Sequence, residues 1–238
     1  MGDKLLTAKA PKTNDIDLRL AVTRALLDAG VPRDAIRHEI TLDSNSSDGR
    51  ADMVIALDRC ITGIEIKSGK DTLDRLDSQR ERYGARFDRL CLVLDVRHEP
   101  NDGYAMAALG FGVGRVYEGD ALRKCQGDFG CSAAPWEPPG WSDIRRADWG
   151  AGERMSPYAM LAMLWAEEVG VVGADLVRSG CVPPTPLDTR YRLIPYLAEH
   201  ASIGQLLPRI AAALRARRLN RWEEAFWARY DAQSLAAA

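Results

Sequence analysis

The chain has 238 residues, of which 46% are hydrophobic and 28% are charged. This balance excludes an intrinsically disordered protein, and the length suffices for one large domain or for a core domain with a smaller one. The 32 basic and 34 acidic residues leave a formal net charge of −2. That charge excludes a uniformly basic coat for nucleic acids, but it does not exclude a local basic patch.

No stretch of the sequence has the roughly 18 apolar residues that a membrane span requires. The best candidate, 157–166, ends at Glu167 and Glu168, and residues 1–12 lack the apolar segment of a signal peptide. We therefore expect a cytoplasmic protein with no membrane partner. The 5 cysteines are scattered, with no histidine at zinc-ligand spacing, so reduced thiols are expected rather than disulfides or a zinc site.

The N-terminal half alternates helix and strand patterns. Thr13 or Asn14 can cap a first helix with an inner stripe of Ile16, Leu20, Thr23 and Leu27, and Gly30 with Pro32 ends it. The elements predicted after it are strands at 35–42, 51–57 and 61–67, a helix at 71–87, a strand at 90–96, a short helix at 102–109 and a strand at 113–118. Strands 51–57 and 61–67 form a hairpin in this prediction. The order predicts an α/β core with a mixed sheet.

In the first predicted strand, two-residue alternation places Ile36, His38, Ile40 and Leu42 on one face. Residues 119–150 are rich in Gly, Pro and Trp and are interpreted as a connection. From Ser156 the pattern is helical, with Pro157 at the first helical position and further helices near 188–200, 203–218 and 219–232. The predicted division is therefore a core at 1–118, a connection at 119–150 and a helical subdomain at 151–238.

Two carboxylates and an ammonium group are predicted to converge at one edge of the hairpin. Asp52 opens one strand, and alternation places Glu65 and Lys67 on the same face of the next. Carboxylate oxygens of Asp52 and Glu65, with the backbone carbonyl of Ile66, form a hard oxygen site that suits Mg²⁺ or Mn²⁺. Such a metal polarises a phosphoryl oxygen, and Lys67 would orient water or balance charge on the phosphate.

The helix after this strand carries polar groups on its inner stripe. Gln79 and Tyr83 follow Leu76 at helical spacing, on the face that Leu76 and Phe87 indicate is buried. A buried amide and a buried phenol need hydrogen-bond partners. The strand edge at Lys67 could supply them, and simple satisfaction within the core is the alternative.

These residues resemble the PD-(D/E)xK motif of restriction-endonuclease-like nucleases. Asp52 is followed at a thirteen-residue spacing by Glu65-Ile66-Lys67, and Gln79 with Tyr83 resembles the QxxxY element of the RecB-like branch. The stretch from Gly63 to His98 is similar to a family of bacterial and phage nuclease-like proteins of poorly defined function. The resemblance covers about residues 15–98 and implies an αβββαβ restriction-endonuclease-like core, with a helical C-terminal region outside it.

The resemblance implies a Mg²⁺- or Mn²⁺-dependent deoxyribonuclease, with Asp52, Glu65 and Lys67 catalytic and Gln79 and Tyr83 supporting. Ala51 stands where the motif has proline, which removes no ligand. Glu39 is the best match for an additional family carboxylate, and a structural role at a strand edge is its alternative. The other candidates for this carboxylate are Asp15, Asp17 and Asp28. A catalytically inactive DNA-binding or protein-interaction module on the same fold is the rival function, and RNA is the alternative substrate. Double-strand cleavage by a chain with one site would call for a homodimer, whereas nicking would not.

A basic cluster near the C-terminal end is the second candidate site. It consists of Arg215, Arg217, Arg218 and Arg221. These arginines are predicted to contact DNA phosphates, and a solvated helix end is the alternative. Trp222, Phe226 and Tyr230 recur at four-residue spacing and are interpreted as a packing stripe or a dimer surface rather than a base-stacking platform.

Overall fold

The α/β part of the molecule has the predicted order of a helix, three strands, a helix and a strand. The computed structural model describes residues 14–43, 49–95, 112–116, 155–186 and 189–237. The elements of this part are α1 (Asp15–Asp28), a 3₁₀ turn (Arg33–Ala35), β1 (Ile36–Thr41), β2 (Arg50–Leu57), β3 (Cys60–Lys67), α2 (Leu76–Gly84), β4 (Arg89–Asp95) and β5 (Gly112–Val116). The predicted short helix at 102–109 and the connection at 119–150 lie outside the described residues.

Helix α1 begins and ends where the sequence predicts. Asp17 accepts a hydrogen bond from the Asn14 backbone nitrogen at 3.3 Å, and Gly30 has a positive φ of 85° that ends the helix. Leu20 and Thr23 of the predicted inner stripe are buried, and Ile16 and Leu27 are partly buried. The buried face is wider than predicted, because it also includes Leu18, Val22 and Leu26.

Helix α2 is shorter than the predicted 71–87. The residues before it form a turn in which Asp71 Oδ2 accepts hydrogen bonds from the Ser68 nitrogen at 2.7 Å and from its hydroxyl at 2.6 Å. Asp71 therefore closes a loop after β3 instead of starting the helix. At the other end, Phe87 packs its ring over Gly63 of β3, where any Cβ would collide with it. This contact brings the end of α2 close to the sheet.

The C-terminal part is helical, as predicted. Its helices are α3 (Pro157–Ala162), α4 (Ala166–Arg178), α5 (Arg190–His200), α6 (Ile203–Ala216) and α7 (Arg221–Ala237). The Ser156 hydroxyl caps α3 by accepting a hydrogen bond from Ala159 N at 3.3 Å, ahead of Pro157 at the first helical position. In the described part of the chain, no helix has the length and apolar character needed to cross a membrane.

The strands form one mixed sheet in the order β1-β2-β3-β4-β5. Strand β2 is antiparallel to both β1 and β3, with Met53 opposite Ile64. Strand β4 is parallel to both β3 and β5, with Glu65 opposite Leu92. Strand β3 is buried along its whole length. It is therefore covered on both faces, which explains why an apolar run surrounds its two charged residues.

Two hydrophobic clusters cover the sheet. One joins residues of α2, such as Tyr83, to residues of the C-terminal helices, such as Ile210 and Leu214. The other joins α1 to β3 and to Phe226 and Trp227 of α7. The C-terminal helices thus contribute to both clusters of the sheet, while the predicted domain boundaries stay a prediction.

Strand β1 changes faces at Glu39, which corrects the prediction that its apolar residues share one face. Ile36 belongs to the cluster with α1, whereas Ile40 and Leu42 belong to the cluster with α2. Glu39 has a φ of 54°, in the left-handed region, which breaks the two-residue alternation of the strand. A non-glycine residue there stores backbone strain, and the contacts of its side chain must hold it in place.

Candidate functional site

The hairpin brings Asp52 and Glu65 to the same level of the sheet. The backbone pairing between β2 and β3 extends from the turn to the pair of Met53 and Ile64. Asp52 and Glu65 are the next residues beyond this last pair. Asp52 Oδ2 then accepts a hydrogen bond from the backbone nitrogen of Ile66 at 2.8 Å. The Asp52 side chain is thus held by the strand that carries Glu65, as the predicted hairpin requires.

Glu65 is buried, with 2% of its surface exposed, and three predicted residues surround it. Lys67 Nζ lies 2.8 Å from Glu65 Oε1, and Gln79 Nε2 donates to the same oxygen. The Tyr83 hydroxyl lies 2.6 Å from Glu65 Oε2 and 3.1 Å from the carbonyl oxygen of Arg50. The i, i+4 spacing on α2 therefore places both polar side chains on one carboxylate.

Arg19 joins the remaining carboxylates and is the residue that the sequence prediction missed. It is buried, and its Nη2 lies 2.9 Å from Asp52 Oδ1 and 2.8 Å from Glu39 Oε1. Its Nη1 donates to the Asp52 carbonyl, and its Nε lies 2.7 Å from Asp15 Oδ2. One sequence signal was available, because Asp15 precedes Arg19 by four residues and Val22 and Thr23 follow it on the buried face.

Glu39 lies at the site, as the carboxylate assignment requires. Besides Arg19, it contacts Arg50, whose Nη1 lies 3.3 Å from Glu39 Oε2. The strained backbone of Glu39 places it on β1 beside Asp52 on β2, and both strands change faces there. Asp15, Glu39 and Asp52 thus share one guanidinium at the kink of the sheet.

Burial and crowding of negative charge shift two pKa values here. Burial raises the pKa of Asp52, and the charge of Glu65 raises it further. The charge of Arg19 and the hydrogen bond from the Ile66 N–H lower it, and the resulting pKa of Asp52 is about 8. Burial, followed by the charges of Glu65 and Asp52, also raises the pKa of Tyr83 well above its usual value. Tyr83 therefore stays protonated as a hydrogen-bond donor to Glu65.

The donor chemistry of this site fits a hard divalent cation. A carboxylate offers about four lone-pair directions. Asp52 uses one on each oxygen, and Glu65 has two contacts on Oε1 and one on Oε2, so each retains capacity among the described contacts. The buried Gln79 Oε1 also has no hydrogen-bond partner in the described part of the chain. No group of three or more Asp, Glu, His or Cys side chains is preassembled as a metal site in that part.

The predicted basic cluster is divided by the fold. Arg217 is buried, with its Nε 2.7 Å and its Nη2 2.5 Å from the Glu168 carboxylate. Arg215 lies 2.9 Å from Asp34 and 3.4 Å from Asp58. These pairings remove Arg217 from the predicted DNA-contacting cluster, because a buried guanidinium on its own carboxylate is not presented to a phosphate. Arg218 and Arg221 are exposed, and for them the DNA contact stays a prediction.

The aromatic stripe is a packing stripe, as predicted, although only Phe226 is buried, whereas Tyr230 is half-buried and Trp222 is exposed. Phe226 is buried with its ring 4.1 Å from the ring of His38, and Trp222 stacks on Phe226 at 5.5 Å. The Arg19 guanidinium lies 4.9 Å from the Trp222 ring centroid, which connects α7 to the carboxylate site. Burial lowers the pKa of His38 well below its usual value, and the charges of Arg19 and Arg37 lower it further. His38 is therefore a neutral packing residue.

One family model, described as Bacteriophage P4 protein cII, matches residues 10–101. The matched stretch contains Arg19, Glu39, Asp52, Glu65 and Lys67, and it ends before the arginine cluster. No curated protein and no solved structure matches the chain. The similarity therefore concerns the α/β part, in which the carboxylate site lies.

Proposed function

We propose that the protein is a metal-dependent nuclease that hydrolyses phosphodiester bonds in DNA, on a restriction-endonuclease-like core. The observation that carries this proposal is the meeting of Asp52, Glu65 and Lys67, with Gln79 and Tyr83 bound to Glu65. All five were selected from the sequence for this chemistry. The order of α1 to β4 and the mixed sheet also agree with the αβββαβ core that the resemblance implies.

Asp52 and Glu65, with the carbonyl of Ile66, would hold Mg²⁺ or Mn²⁺. When bound, such a metal polarises a phosphoryl oxygen and lowers the pKa of a bound water. Tyr83 and Gln79 fix the orientation of Glu65 from α2, and the Ile66 N–H fixes Asp52. Lys67 is buried beside Glu65, where its ammonium can donate a hydrogen bond to an anionic phosphate oxygen.

The second candidate is a DNA-binding or protein-interaction module that does not cleave. One observation favours it: Arg19 already contacts Asp52 and Glu39, and Lys67 already contacts Glu65. Carboxylates with internal partners can be structural alone. The two candidates differ in metal binding, since a vestigial site has no need of Mg²⁺.

Incubation of the purified protein with a panel of nucleic acids tests the proposal. The panel comprises linear, nicked, branched and single-stranded DNA together with RNA, each with Mg²⁺ or Mn²⁺. We expect cleavage of DNA, a loss of at least about 100-fold in Asp52→Ala and Lys67→Ala, and retained DNA binding in Lys67→Ala. Lys70→Ala is the matched control, because Lys70 contacts Asn14 rather than a site carboxylate.

The pattern of products separates the rival functions. Cleavage of RNA alone would move the substrate class from DNA to RNA. DNA binding without cleavage, in a protein that binds no metal by calorimetry, would establish the non-cleaving module and end the nuclease proposal.

A further inference from the structure

Arg19 is a buried cation that three carboxylates of the site share. Its guanidinium contacts Asp52 through both the side chain and the carbonyl, and it also contacts Glu39 and Asp15. The side chain is 3% exposed, so these acceptors are held by a cation that is shielded from water. A planar guanidinium can bind several oxygens at fixed angles, whereas an ammonium cannot hold them in the same plane.

Carboxyl groups outnumber the cations around Arg19. Four carboxylates (Asp15, Glu39, Asp52 and Glu65) meet only two buried cations, Arg19 and Lys67. Arg50 adds a third positive charge, but its side chain is 63% exposed. Loss of Arg19 would therefore leave Asp52, Glu39 and Asp15 without the buried guanidinium that they share.

We propose that Arg19 is a positioning residue that serves as a built-in counter-cation for the metal site. It holds Asp52 and the strained Glu39 in place when no metal is bound, so the ligands are preorganised and folding does not depend on metal. The inference rests on the proposed metal-binding function and adds a role that the motif residues do not provide. A direct consequence is that a divalent cation can substitute for Arg19 as the charge that holds this part of the sheet together.

Thermal unfolding with and without Mn²⁺ tests this role. Arg19→Met and Arg217→Met each remove a buried guanidinium from a carboxylate, but Arg217 lies on Glu168 and away from the site. Both variants should unfold at a lower Tm than the wild type in EDTA. Excess Mn²⁺ should restore at least half of the lost Tm in Arg19→Met and none in Arg217→Met, while the wild type shifts by less than Arg19→Met.

A second variant covers the case in which Arg19→Met does not fold in EDTA. Recovery of folded Arg19→Met by refolding in Mn²⁺ would then support the inference. Arg19→Lys keeps the positive charge but lacks the planar guanidinium that binds several oxygens at fixed angles. Its Mn²⁺-induced rise in Tm should therefore lie between those of the wild type and Arg19→Met. Equal Mn²⁺ shifts in the wild type and Arg19→Lys, with no recovery of Arg19→Met, would overturn it.

Calorimetry on the wild type separates this inference from the proposed function. If the wild type binds Mn²⁺ but Arg19→Met gains no more from it than Arg217→Met does, the counter-cation role is wrong and the nuclease proposal stands. If the wild type binds no Mn²⁺, the metal-dependent function fails, and this inference fails with it.

Discussion

Two buried arginines, one on strand β1 and one on helix α1, make very different use of carboxylates. Arg37 on β1 forms a two-point pair with Glu223, with both N···O distances at 2.9 Å, and donates further bonds to the carbonyls of Leu214 and Arg217. Glu223 also accepts a hydrogen bond from the backbone nitrogen of His38 at 3.0 Å, so it satisfies one of the unpaired N–H groups of the edge strand β1. In this cluster one positive charge meets one negative charge, and the polar atoms of both side chains have hydrogen-bond partners.

The Arg19 cluster contains the same kinds of group, but its carboxyl groups and buried cations are unequal in number. It contains more carboxylates than buried cations, a strained backbone at Glu39, a buried Gln79 oxygen with no described partner and a raised pKa at Asp52. The comparison teaches that buried charge serves two purposes in this fold. Around Arg37 it fastens α7 to the sheet, whereas around Arg19 it leaves a demand for positive charge that a ligand can meet.

The largest expected effect is on the balanced cluster. Glu223→Gln should lower the free energy of unfolding by about 3–5 kcal/mol, because it leaves the buried Arg37 without its counter-charge. Urea unfolding followed by circular dichroism measures this loss, and added Mn²⁺ should not reduce it. Glu224→Gln, on the exposed neighbour, is the control and should change the free energy by less than about 0.5 kcal/mol. A small effect of Glu223→Gln would contradict the fastening role.

Asp52→Asn should change how stability depends on pH. The folded pKa of Asp52, about 8, lies above the ordinary value of 3.8, so the folded state retains a proton that the unfolded state loses between these values. Stability of the wild type therefore falls as pH rises through this window. In EDTA, the wild type should lose about 4 kcal/mol relative to Asp52→Asn between pH 5 and pH 8.5.

The exposed Asp58→Asn provides the control for this comparison, and urea midpoints at several pH values provide the measurement. Parallel pH profiles for the wild type and Asp52→Asn would contradict the raised pKa of Asp52.

His38→Phe tests the buried imidazole of His38, which packs against the ring of Phe226 on α7. Because the folded pKa of His38 is lowered, the unfolded state binds a proton first as pH falls below 6.5, and stability is lost on acidification. The wild type should lose about 1 kcal/mol relative to His38→Phe between pH 6.5 and pH 5.5. The exposed His200 supplies a control in His200→Gln, and identical acid profiles for the wild type and His38→Phe would contradict a neutral buried imidazole.

The smallest expected effect concerns the exposed arginines outside both clusters. The double variant Arg218→Gln/Arg221→Gln should weaken DNA binding and reduce the slope of log K against log salt by about 1–2. Arg178→Gln/Arg192→Gln removes two exposed arginines elsewhere and serves as the control. Fluorescence anisotropy at several salt concentrations measures the slope, and an unchanged slope would return Arg218 and Arg221 to a solvated helix end.

The parts of the site that follow from local periodicity could be predicted. Short β-branched runs located β2 and β3, and strand alternation put Glu65 and Lys67 on one face. Helical spacing then placed Gln79 and Tyr83 together on α2. These inferences succeed because each depends on residues within about one or two elements of one another.

The missing parts depend on contacts between distant segments. Arg19 lies between two leucines, and nothing local to it reveals that Asp52, thirty-three positions away, accepts its hydrogen bonds. Glu39 adopts a left-handed backbone without being glycine, so no turn signal marks the kink. Asn220 and Glu223 form a local capping pair that the sequence displays, with N···O distances of 3.0 and 2.9 Å, but the pairing of Glu223 with Arg37 is tertiary.

The bond between Arg37 and Glu223 also has a consequence for how the molecule folds. Its two residues are 186 positions apart, and the same helix α7 places Phe226 and Trp227 in the cluster that α1 begins. Closing so long a loop costs chain entropy before any contact compensates for it, which slows folding. Until α7 docks, β1 has an open edge that another chain could pair with. Docking of α7 therefore completes the cluster that α1 begins and also covers part of the open edge of β1.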